Sequence, residues 1–65
     1  MTIVLYALKC DGGYIKAEED SIKIVDIQKA SVFKSVSDMN AVLKRALDVT
    51  DVHPVELTIA ERKIY

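Results

Sequence analysis

Short runs of β-branched and aromatic residues, a tight glycine turn and one amphipathic stripe predict a small α+β domain. The expected architecture is an antiparallel sheet of three to four strands in ββ(β)αβ order, with one helix packed on one face. Residues 2–9 (TIVLYALK) combine β-branched and aromatic side chains and read as the first strand. Ile3, Leu5 and Ala7 form one of its faces, and Val4, Tyr6 and Leu8 the other. Both faces are apolar, whereas a strand covered on one side only should alternate with polar residues. Either this strand is central, or it offers a face to a partner.

Asp11-Gly12-Gly13 is a turn signal, because Gly accepts positive φ and Asp bonds its own backbone in tight turns. Residues 14–17 then pair back as a second, short strand. The polar run Glu18-Glu19-Asp20-Ser21 turns the chain again, and residues 22–27 (IKIVDI) resume strand character. Ile22 and Ile24 share one face of that strand. Val25 and Ile27 fall on the face of Lys23, which puts a bulge or the strand's end near them. Residues 28–35 read as an extended segment that drops Phe33 into the core.

The helix is expected to begin at Ser37 as N-cap, with Asp38 in the first turn against the helix dipole. Met39, Val42, Leu43, Ala46 and Leu47 follow at i, i+3, i+4, i+7 and i+8, one apolar stripe. The helix ends near Asp48 or Val49. Residues 50–54 form a loop, because Pro54 disfavours helical backbone at His53. Val55, Leu57 and Ile59 alternate with Glu56, Thr58 and Ala60, so residues 55–60 read as a strand with one buried face. Residues 61–65 extend it or fray.

The chain has 65 residues and a formal net charge of −1, with 51% hydrophobic and 29% charged residues, which makes it one globular domain over residues 1–65. The balance of charge argues against a protein built mainly to grip nucleic acid. One Cys gives no disulfide framework. The longest early apolar run, residues 3–8, is too short for a bilayer and is followed by Lys9 without a cleavage site, so neither membrane span nor signal peptide is expected. A domain of this size buries only about 60% of its unfolded surface. Lacking disulfides and a metal site, it is expected to gain stability by forming a homodimer.

Each candidate for chemistry has a plainer reading. A Cys10 thiol with His53 as base has no support in their spacing; Cys10 reads as a strand-end residue and His53 as a loop residue before Pro54. A lone His and a lone Cys do not make a metal site. Glu18-Glu19-Asp20 lacks the alternate spacing of a calcium loop and reads as a solvated turn. Asp11-Gly12-Gly13 lacks the Gly-Lys-Ser/Thr of a phosphate loop. No cofactor, metal or catalytic residue is therefore expected, and the protein is read as a non-enzyme. Lys9, Lys16 and Lys23, with Tyr6 or Tyr14, could line the first three strands as a platform for single-stranded nucleic acid. The more usual use of such lysines is to solubilise edge strands. Val4, Tyr6 and Leu8, with Tyr14, are the candidate interaction surface. If the helix covers the Ile3 face, their face is left bare with an aromatic anchor for a partner.

One pattern has a counterpart elsewhere. Tyr14-Ile15-Lys16 after a glycine turn is followed by Lys29-Ala30-Ser31-Val32-Phe33, a capped helix, and a closing Pro54-Val55-Glu56-Leu57 strand. Over residues 12–59 this resembles small α+β proteins encoded by phages and prophages of Gram-positive bacteria. The chain departs from them where the helix opens with Asp38-Met39-Asn40-Ala41 in place of an acidic Glu-Glu-Ala. The resemblance implies a cytoplasmic bacterial setting and an accessory role towards a host or phage protein. It brings no catalytic residue. The reading of the whole chain is a non-enzymatic, homodimeric protein-interaction module, with nucleic-acid binding through Lys9, Lys16, Lys23 and Tyr14 as the alternative.

Overall fold

A computed structural model describes residues 2–65 of the chain. Strands β1 (Thr2–Cys10), β2 (Gly13–Ala17) and β3 (Ile22–Val25) are followed by a 3-10 turn over Ile27–Lys29, helix α1 (Val36–Leu47) and strand β4 (Val52–Ala60). The sheet is antiparallel and four-stranded in the order β3-β2-β1-β4, with α1 on one face. This is the expected α+β class, with the third strand formed.

The hairpin turn between β1 and β2 is Asp11-Gly12. Gly12 takes φ +94°, which a side chain would resist. A Cβ on the next residue, Gly13, would lie 2.6 Å from the Val25 carbonyl oxygen of β3, so only glycine lets the two strands approach here. From this turn β1 and β2 diverge. Segment 30–33 fills the opening: Ser31 N–H donates to the Ile15 carbonyl at 3.1 Å, and Tyr6 and Phe33 exchange both backbone bonds at 2.8 Å. The Ser31 hydroxyl accepts from Ala17 N–H at 2.9 Å. The segment expected to be merely extended is thus a short wedge that restores the backbone bonds β2 leaves unmade.

Helix α1 begins earlier than its sequence suggested. Ser35, not Ser37, is the N-cap, and its side chain accepts from Asp38 N–H at 3.1 Å. Asp38 holds its first-turn place against the helix dipole. The stripe is narrower than its spacing implied, since Leu47 is exposed. Strand β4 starts at Val52 and runs through Pro54, which the sequence reading placed in a loop. Proline fits there because β4 is an edge strand. Tyr6 spends its N–H and C=O on Phe33, so the opposite residue Glu56, and with the same phase Pro54, turns its backbone to the free edge.

The core lies between α1 and one sheet face. Leu8, Cys10, Ile15, Met39 and Ala46 are buried together, with Tyr6, Ile22, Phe33, Val42, Leu43 and Val52 packed around them. Arg45 ties the helix to the β2–β3 turn, donating to the Glu18 carbonyl at 2.7 Å. Among the described residues, no helix is long and apolar enough to cross a membrane.

Candidate functional site

The register of the sheet decides which face is left open. Leu8 and Cys10 lie in the core under α1, with Ile15 from β2. Residues of the same phase share that face: Tyr6 and Val4 on β1, Ala17 on β2, and Pro54 and Glu56 on β4. The other face, away from the helix, carries Ile3, Leu5, Ala7 and Lys9 from β1. Directly beside them stand Ile59, Leu57, Val55 and His53 from β4. Tyr14 and Lys16 from β2, with Val25 and Lys23 from β3, complete it.

The expected interaction surface is therefore corrected. Leu8 is fully buried, at 0% exposure, beneath α1. Tyr6 is half-buried and pinned by Phe33. Of the three β1 residues, only Val4, at 40%, is exposed. Tyr14 lies on the opposite face, so Val4, Tyr6, Leu8 and Tyr14 do not form one surface. The bare face is the one that holds Ile3. The expectation of one buried face for β4 changes in the same way: Val55 and Leu57 are only half-buried and Ile59 is 50% exposed, on the face no helix covers.

This open face has two ends. At one end the cross-strand pairs Ile3–Ile59, Leu5–Leu57 and Ala7–Val55 form an apolar stripe, exposed at Ile3 and Ile59, half-buried at Leu5, Leu57 and Val55, and fully buried at Ala7. Here β1 and β4 continue past the body as a two-stranded ribbon, exposed at Thr2, Ile3 and Val4 and again at Thr58, Ile59 and Ala60. At the other end stand Lys9, His53, Tyr14, Lys16 and Lys23. The Lys9 ammonium sits 5.7 Å from the centre of the Tyr14 ring, a cation–π contact. Lys16 and Lys23 are directly opposite each other on neighbouring strands. Glu18, just beyond β2, holds Lys23 at 3.0 Å. The sequence reading had grouped the three lysines with Tyr14, and the register does place them on one face.

Cys10 and His53 occupy opposite phases of paired strands, since Cys10 faces Val52 and His53 faces Lys9. The thiol is in the core, 3.5 Å from the Gly13 carbonyl oxygen, and His53 is on the open face. The two therefore do not assemble into a nucleophile and base. A shallow depression of about 360 Å³ at the strand ends touches both residues, with Lys9, Asp11, Asp51 and Val52. Among the described residues, no three His, Cys, Asp or Glu side chains gather as a metal would require. Sequence reasoning missed Arg45, whose reach to the Glu18 carbonyl spans 27 residues and leaves no local signal.

No protein-family model, no curated protein and no solved structure matches this chain.

Proposed function

We propose that the protein is a non-enzymatic interaction module that pairs with a second copy of itself through the open sheet face. The observation that carries this reading is the uncovered stripe of Ile3, Leu5, Val55, Leu57 and Ile59. A contiguous apolar patch of this kind on a small domain marks a contact surface. The surface area supports a second copy as occupant. A compact monomer of 7.3 kDa exposes about 4,200 Å², whereas this chain exposes 5044 Å². Its radius of gyration is 12.7 Å against about 10.7 Å for a compact 65-residue domain. Tail residues 61–65, exposed throughout, account for part of the excess, and the open face and projecting ribbon for the rest. What remains after the tail is less than the roughly 800 Å² that each partner buries in a standard interface.

Two-fold self-pairing suits an elongated stripe, which can lie on its own symmetry mate. Beyond the second copy, the resemblance to phage and prophage proteins makes a host or phage protein the partner class to seek.

Light scattering over ~5–500 µM tests the pairing. The expected result is a mass near twice 7.3 kDa that falls to the monomer value in an Ile3→Lys/Ile59→Glu variant. Both side chains are about half exposed and directly opposite each other, so a Lys and a Glu there face as unlike charges and should leave the fold intact by circular dichroism. A wild-type chain that stays monomeric at the top concentration overturns the reading.

A further inference from the structure

We infer that the basic end of the open face binds single-stranded nucleic acid, independently of the self-pairing proposed above. Lys9, Lys16, Lys23 and His53 converge there from all four strands around Tyr14. Among the described residues, the strand positions of this face hold no carboxylate, although the chain has ten Asp and Glu and a net charge of −1. Among the described residues, the only acidic one in a strand, Glu56, has the phase of the helix-covered face. The carboxylates near this end come from the turns: Glu18 pairs with Lys23, and Asp11 and Asp51 flank Lys9 and His53 at the strand ends.

A second observation is the Lys16–Lys23 pair. Like charges directly opposite on neighbouring strands are destabilising. Glu18 relieves Lys23, but Lys16 takes part in no ion pair among the described residues. An anion lying across β2 and β3 removes that conflict. Lys16 and Lys23 stand one strand spacing apart, about 4.8 Å, and Lys9 lies beyond them next to Tyr14 at the closed end of the β1–β2 hairpin.

Tyr14 decides between kinds of polyanion. It lies half-buried among the lysines with the Lys9 ammonium over its ring, and a base that stacks there takes the place of that ammonium, which turns to a phosphate. An acidic peptide would use the lysines and gain nothing from the ring. A duplex would offer phosphates but no unstacked base. Because the apolar stripe lies at the far end of the face, a self-paired form keeps the basic end free.

The test is fluorescence anisotropy of a labelled 12-nucleotide single strand of mixed sequence, with polyglutamate and a duplex as competitors. Three phosphate contacts give a slope of about −2 in log affinity against log salt, or roughly twentyfold weaker binding on going from ~50 to ~200 mM salt. Lys16→Gln should flatten the slope by about 0.7. Tyr14→Leu should weaken binding about tenfold and leave the slope unchanged, because it removes stacking and no charge. Lys9→Gln is a second surface variant, should Lys16→Gln fold poorly by circular dichroism. Absence of binding at ~50 mM salt overturns the proposal, as does a Tyr14→Leu variant that binds like wild type. Equal competition by polyglutamate or duplex also overturns it. The Ile3→Lys/Ile59→Glu variant, which leaves the net charge unchanged, separates the two readings: its failure to pair should leave the lysine-dependent salt slope in place.

Discussion

The assignment of faces has its sharpest test in stability. Leu8 is fully buried between the sheet and α1, in contact with the cluster that contains Ile15, Met39 and Ala46. Leu8→Ala removes that side chain from a site closed on one side by the sheet and on the other by a helix tethered through Arg45. A tethered layer collapses poorly into a void, so the loss should fall in the range of buried Leu→Ala changes, about 3 kcal/mol. The total stability of a 65-residue domain is only about 3–10 kcal/mol. The variant should therefore lose a large share of it, with a melting midpoint lower by roughly 12–24 °C. Leu57→Ala provides the contrast. Leu57 lies on the open face and is half-buried, so in a dilute monomeric sample its truncation should lose about 1 kcal/mol. Urea denaturation at ~1 µM, followed by circular dichroism, reads both. If Leu57→Ala cost as much as Leu8→Ala at that dilution, or Leu8→Ala less than about 1 kcal/mol, the placement of the helix would be refuted.

Three further outcomes follow from local geometry. Ser35→Ala should destabilise by about 1 kcal/mol while Ser37→Ala changes stability by less than about 0.5 kcal/mol, read by the same denaturation, because Ser35 alone caps α1. Gly13→Ala should cost upwards of about 2 kcal/mol, since its Cβ would meet the Val25 carbonyl at 2.6 Å and backbone must move to admit it. Cys10, 5% exposed, should react with a disulfide reagent far more slowly in the folded protein than in urea, and a burst of labelling in native buffer would contradict its burial.

Much of the fold was legible because its signals are local. The Asp11-Gly12-Gly13 turn, the i, i+3, i+4 stripe of α1 and the alternation in β4 each follow from one short window of chain. The boundaries that moved did so for tertiary reasons. Ser35 and Ser37 are equally good caps in sequence, and the chain starts its helix at the earlier one, immediately after the wedge that pairs Phe33 with Tyr6. Pro54 reads as a strand breaker except on an edge, and no local pattern says that β4 is an edge. The 3-10 turn at Ile27–Lys29 has no buried residue and so no apolar period to announce it.

The face of β1 was misjudged because its two apolar sets, Ile3-Leu5-Ala7 and Val4-Tyr6-Leu8, are equivalent in hydrophobicity. The information needed lay one residue further along. Lys9 continues the Ile3 phase, while Cys10 continues the phase of Leu8. A lysine does not sit under a helix, whereas an unpaired cysteine is among the most buried of residues. The same reasoning passes across the turn: Tyr14 and Lys16 take the phase of Lys9, and Ile15 that of Cys10. Lysine phase, rather than hydrophobic phase, therefore marks the outer face of this sheet. Once that is recognised, the apolar stripe at the far end can no longer be explained as core. Nothing in α1, which is 12 residues or about 18 Å long, can cover both faces of a sheet whose strands β1 and β4 run nine residues, about 30 Å. The stripe is left to something other than this chain's own helix, and that is the physical reason to read the protein through its contacts rather than through an enclosed site.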